Sequence, residues 1–243
     1  MNFIGLDISK ISTAMVIIAG NDEHIFSYNT SKPSYKWNKE LSSLVNIKTY
    51  EYDKDEENYS KSEVNKLTVF TRIANDLMND ILTTIDPSAG TVVVLEGYSY
   101  SSGDSGPLID LVGIASIIRN KVLEQVPNLL HIEIVSPSQL KCNACAFAYG
   151  YSEVTVGKKN PRVELVMNTN PAGMKGGNFT KHDIFKSIID GGKPYKLMEF
   201  CMSKHDEIMG VKSFPKPLED IDDAKIAVSI AADIAGKLFG KES

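Results

Sequence analysis

Thr91-Val92-Val93-Val94-Leu95 is the stretch that most narrows what this chain can become. A run of β-branched and aliphatic residues without polar alternation suits a strand covered on both faces, and such strands belong to sheets packed between helices. Glu96 closes this run, and a second apolar run, Phe3–Asp7, also closes on a carboxylate. An acid at the end of a buried strand is unfavourable unless it is paired or bound to a metal. Two such strand ends point to a built site.

The remaining pattern fits helices around a sheet. Ala14–Ala19 and His24–Tyr28 read as strands joined at Gly20-Asn21-Asp22, giving an antiparallel start. Residues from about Ser31 to Ser62 lose periodicity and read as a loop or excursion. From Val64, the residues Leu67, Phe70, Ile73, Ala74, Leu77, Met78 and Ile81 recur at three- and four-residue spacing, which predicts a helix to about Ile85. A Gly- and Ser-rich loop over 97–107 leads to a helix from about Leu108 to Gln125 and a strand over His131–Val135. Ser136-Pro137-Ser138 is a helix start with proline at the first position. Asn160 to Asn178 reads as loop, Thr180–Ile189 and Pro194–Met209 as helices, Pro215–Pro217 as a linker, and Glu219 to Phe239 as the last helix. The expectation is one α/β domain spanning 1–243, with a mixed sheet and insertions at about 31–62 and 151–178.

Three cysteines form no disulfide framework, which suits a reducing compartment. The N-terminus has no basic leader with an apolar run, and no stretch reaches the length of a membrane helix. A cytoplasmic protein without membrane partners is therefore expected. The net charge of −5 argues against nucleic acid, but the charge is uneven. Residues 141–217 hold 12 Lys/Arg against 7 Asp/Glu, whereas the rest holds 14 against 24. The basic stretch can still meet phosphates.

In the last helix Asp220 and Asp223 are three apart and share a face, while Asp222 lies about 100° around the axis from Asp223. Asp7, Glu96, Asp220 and Asp223 together offer the hard oxygen ligands that suit Mg²⁺ or Mn²⁺. Two such ions would activate a water and stabilise the leaving oxygen in phosphodiester cleavage. The bland alternative is that Asp7 begins a turn, Glu96 caps a helix, and the helix acids complement a dipole.

FIGLDIS at the N-terminus, VVVLEGYSY in the middle and LEDIDDAKIAV near the end resemble the three motif regions of RuvC-like nucleases of the RNase H-like superfamily. SPSQLK, followed far downstream by TKHDIFKSI, is similar to the helical region of the phage and viral Holliday-junction resolvase branch. The resemblance runs in order along most of the chain, except 31–62 and about 151–178. It implies a five-stranded mixed sheet with helices on both faces, the strand-one aspartate at Asp7 and the strand-four glutamate at Glu96. The helix acids fall at Asp220 and Asp223. It further implies an endodeoxyribonuclease that uses Mg²⁺ or Mn²⁺, with branched DNA and a second copy in a symmetric dimer as its partners and with 5′-phosphate products. If phage-encoded, it would work in the bacterial host cytoplasm. A general DNase, an RNA–DNA hybrid nuclease and a non-catalytic nucleic-acid-binding module on the same scaffold are the competing expectations. The bacterial resolvases place an aromatic wedge three residues after the glutamate, where this chain has Ser99 between Tyr98 and Tyr100.

Tyr98, Ser99 and Tyr100 are candidates for stacking on bases or touching phosphate. Lys141, Lys158, Lys159, Lys175 and Lys181 are candidates for backbone contacts, as a cluster rather than singly. Cys142, Cys145, Cys201 and His205 carry zinc-like spacing within each pair, with small buried cysteines as the alternative.

Overall fold

In the computed structural model β1 (Asn2–Asp7), β2 (Ser12–Ala19) and β3 (Asp22–Asn29) form an antiparallel meander. The two-residue connection after β2 begins with Gly20 at φ +61°, the left-handed geometry that tight hairpins require. Next come α1 (Lys36–Leu41), β4 (Asn46–Thr49), α2 (Tyr59–Thr84), β5 (Thr91–Glu96), α3 (Ser105–Gln125) and β6 (Leu129–Val135). Then follow α4 (Pro137–Tyr149), β7 (Tyr151–Val156), β8 (Arg162–Met167), a 3-10 turn at Gly176–Asn178, α5 (Lys181–Asp190), α6 (Met198–Ser203), α7 (His205–Gly210) and α8 (Leu218–Phe239). The structure describes residues 1–30, 36–51, 58–98, 105–157 and 161–240. They divide into two compact units: Met1–Val135 with Pro215–Ser243, and Ser136–Phe214.

In the first unit the sheet order is β4-β3-β2-β1-β5-β6, with β1, β5 and β6 mutually parallel and β4 parallel to β3. Strand alternation sorts the side chains onto two faces. Ile4, Leu6, Met15, Ile17, Val93 and Leu95 face α2 and α3, where they form a core with Phe70, Ile73, Leu77, Ile81, Ile114 and Ile118. The other face, carrying Gly5, Asp7 and Val94, receives α8. That is why Val92–Leu95 is apolar throughout and wholly buried.

The sheet has six strands, and the expectation of five is corrected. The addition is β4, four residues inside the stretch read as loop, and it lies at the edge with half-exposed side chains. Too short for periodicity, it pairs through its backbone. Glu96 consequently ends the fifth strand of the chain. Helix α2 starts earlier than its apolar face suggests, because Asn58 caps it by accepting from the Lys61 N–H at 3.0 Å.

In the second unit, α4 begins with a reciprocal capping box between Ser136 and Gln139, and α5 with one between Thr180 and Asp183. The segment expected to be loop contains β8, paired antiparallel with β7. Most of this hairpin's side chains are exposed, so no buried face marks it in sequence. The helix expected over Pro194–Met209 is two short ones, α6 and α7, broken at Lys204.

Candidate metal centre

β1 and β5 are parallel neighbours in the register Leu6↔Leu95, so Asp7 and Glu96 leave the sheet side by side at its C-terminal edge. Both point to the α8 face. The distance of α8 from the sheet is set by Gly5: a Cβ there would stand 2.2 Å from the Ala224 carbonyl oxygen and 2.4 Å from the Val228 nitrogen. A bare glycine lets the helix backbone rest on the strand, and this brings Asp223, next to Ala224, over Asp7.

One ligand oxygen from each of Asp7, Glu96 and Asp223 lies within 4.8 Å of the others. Asp7 and Asp223 are 7% and 1% exposed, whereas Glu96 is half-open. Bringing two anions this close costs on the order of 3 kcal/mol per pair at an effective dielectric near 20. A hard divalent cation relieves that repulsion, and three carboxylates are a ligand set that fits one.

Asp220 stands one turn earlier on α8, 2% exposed and beside Asp7. Burial, followed by the Asp7 charge, pushes its carboxyl up to about 8, and Lys216 pulls the other way without prevailing. Its Oδ1 accepts from the Lys216 ammonium, Oδ2 is sealed from solvent, and the Ser12 hydroxyl lies near enough to the carboxylate to favour its charged form slightly. Lys216 also lies 3.5 Å from Glu219 Oε2, and 37% of its side chain is exposed. Sequence reasoning missed this lysine. The only signal was its position four residues before Asp220, ahead of the helix start. Asp222 is buried but falls outside the gathered trio, as its angle around α8 requires.

The exit of β5 is held from below. Arg119 on α3 donates through Nη2 to the Glu96 carbonyl at 3.3 Å, and its guanidinium lies 4.4 Å from the centre of the Tyr98 ring. Tyr98 also packs partly against the α2/α3 core, and the Gly97 N–H continues the ladder to Val135 O at 2.6 Å. Ser99 and Tyr100 lie outside the described residues. Just beyond Asp7, Lys10 bonds Asp110 at the start of α3, and Lys66 of α2 reaches the other oxygen of Asp110 at 2.6 Å.

Among the lysine candidates, Lys141 is half-buried on α4, Lys175 is exposed before the 3-10 turn, and Lys181 is the first residue of α5. All three belong to the second unit; Lys158 and Lys159 lie outside the described residues. Cys142, Cys145, Cys201 and His205 form no metal-holding group among the described residues. Cys145 instead donates to the Asn168 carbonyl at 3.2 Å, Cys201 is buried, and His205 stacks on Phe185. Among the described residues no helix is long and apolar enough to cross a membrane.

No protein-family model matches the chain, and no curated protein matches it in sequence. Solved structures do resemble it in shape. RuvC of T. thermophilus in complex with a Holliday junction substrate is 11% identical, with 98% of this chain and 96% of that chain covered at a TM-score of 0.46. The yeast mitochondrial Holliday junction resolvase Ydc2 is 12% identical, with 93% and 76% covered at a TM-score of 0.42. At these identities no residue role transfers from either.

Proposed function

We propose that this chain is a divalent-metal-dependent endonuclease of RNase H-like fold that cuts branched DNA, with the four-way junction as its preferred substrate. The observation that carries the proposal is the convergence of Asp7, Glu96 and Asp223 from two adjacent strand ends and one helix. The order of the three sequence motifs supports the assignment to the RuvC-like resolvases, and the SPSQLK and TKHDIFKSI segments support the phage and viral branch.

In this proposal Asp7, Glu96 and Asp223 hold Mg²⁺ or Mn²⁺, with Asp220 available to a second ion. The ions, when bound, would supply positive charge at the scissile phosphate and lower the pKa of the attacking water. The half-open Glu96 marks the side from which DNA enters, since Asp7 and Asp223 are sealed. Water attacks phosphorus, the P–O3′ bond breaks, and the products carry a 5′-phosphate and a 3′-hydroxyl. Arg119 keeps the Glu96 strand end and Tyr98 in place, while Ser99, Tyr100 and the lysines of the second unit steady the DNA backbone. Two symmetric cuts across a junction call for two active sites related by a twofold axis, hence a homodimer.

The test compares a four-way junction, a flap, plain duplex and an RNA–DNA hybrid, each with Mg²⁺ and Mn²⁺. Junction cleavage is expected to dominate and to fall by at least about a hundredfold in Asp7→Asn, Glu96→Gln and Asp223→Asn, with junction binding retained. Full activity in any of these variants would refute the metal centre. Equal cleavage of all substrates would point to a general nuclease, and no nicking of any form to a binding module.

A further inference from the structure

The fourth carboxylate has a cation of its own. Asp220 is sealed and lies close to Asp7, with one oxygen on the Lys216 ammonium and the Ser12 hydroxyl near its carboxylate. Lys216 comes from the segment before α8, and its stem is partly in solvent. It also has a second acceptor within reach, Glu219 Oε2 at 3.5 Å on the first turn of α8. The ammonium can therefore leave Asp220 for Glu219 or for water by rotations of a flexible four-carbon stem, without unpacking the core. Lys216 hydrogen-bonds Asp220 directly and reaches Asp7 of the trio only through its charge.

We propose that Lys216 is a resident cation at the fourth carboxylate, which a divalent ion has to displace before it can use Asp220. This rests on the metal-centre proposal and adds an order to it. The first ion binds at Asp7, Glu96 and Asp223 with Lys216 in place. A second ion engages Asp220 only when the ammonium swings out. Lys216 thus regulates occupancy of the centre, and its effect is seen in metal binding without substrate.

The experiment is a Mn²⁺ titration of the full chain, followed by calorimetry and by the electron paramagnetic resonance of free Mn²⁺. The wild type is expected to bind one ion tightly and a second at least about tenfold more weakly. Lys216→Met should tighten the second step by about tenfold or more and the first by clearly less, since only a charge effect through Asp7 reaches it, while Lys216→Arg keeps the two-stage isotherm. Asp220→Asn should show the first step alone. Lys216→Gln, which retains a polar stem, serves if the Met variant does not fold. An unchanged isotherm in Lys216→Met or Lys216→Gln would overturn the role of Lys216 and leave the metal centre standing. Loss of the first step with the second would also overturn that role. No Mn²⁺ binding by the wild type would overturn the centre and this inference together.

Discussion

At the scale of single residues the site depends as much on an absent side chain as on the acids. Gly5→Ala would drive a methyl group into the α8 backbone, where nothing flexible can yield. The expected result is a loss of roughly 1–3 kcal/mol in stability together with weakened Mn²⁺ binding, read by thermal unfolding and titration. Gly236→Ala is the internal comparison. It lies within α8, and no atom beyond its own stretch of helix backbone comes within 4 Å of the added carbon, so a gain of about 0.5–1 kcal/mol and unchanged metal binding are expected. The acids were legible in the sequence because a carboxylate breaking an apolar run stands out. Gly5 and Lys216 were not: one matters through a close approach between distant segments, the other through a contact made outside any regular element.

At the scale of elements, periodicity revealed those that bury a face. Helix α2 and strand β5 announce themselves because long apolar stripes or runs pack on the core. β4 and the β7–β8 hairpin bury little, and their pairing is a backbone property that side chains do not record. Asp110 ties elements together as well, since it joins the loop after β1 to α2 and α3 through Lys10 and Lys66. Burial pushes its carboxyl up, but the two lysines outweigh burial and hold it below the ordinary carboxylate value. A native value below the unfolded one means that the stabilisation is complete above the unfolded value and is lost as pH falls through the native one. Asp110→Asn is therefore expected to lower stability by about 1–3 kcal/mol at neutral pH, with the gap to the wild type closing in acid. Denaturant melts across a pH series provide the measurement, and a gap that widens in acid would contradict the ion-pair account.

At the scale of the whole molecule, charge is divided between two units. The carboxylate centre belongs to the first, and Lys141, Lys175 and Lys181 belong to the second. Replacing the three lysines by alanine should weaken junction binding and flatten its logarithmic salt dependence by about 2–3, while leaving Mn²⁺ binding unchanged. An unaltered salt slope would remove these lysines from the DNA path. The basic stretch was visible in sequence as a composition shift, but the partition into units was not, because it depends on which segments share a core. The first unit is discontinuous in the chain, and its acid trio draws on residues 7, 96 and 223. During synthesis Asp7 and Glu96 emerge long before Asp223, with the whole second unit made in between. A nascent chain therefore lacks the complete acid trio until residue 223 has been made, so the proposed metal centre cannot assemble before the whole second unit has been synthesised.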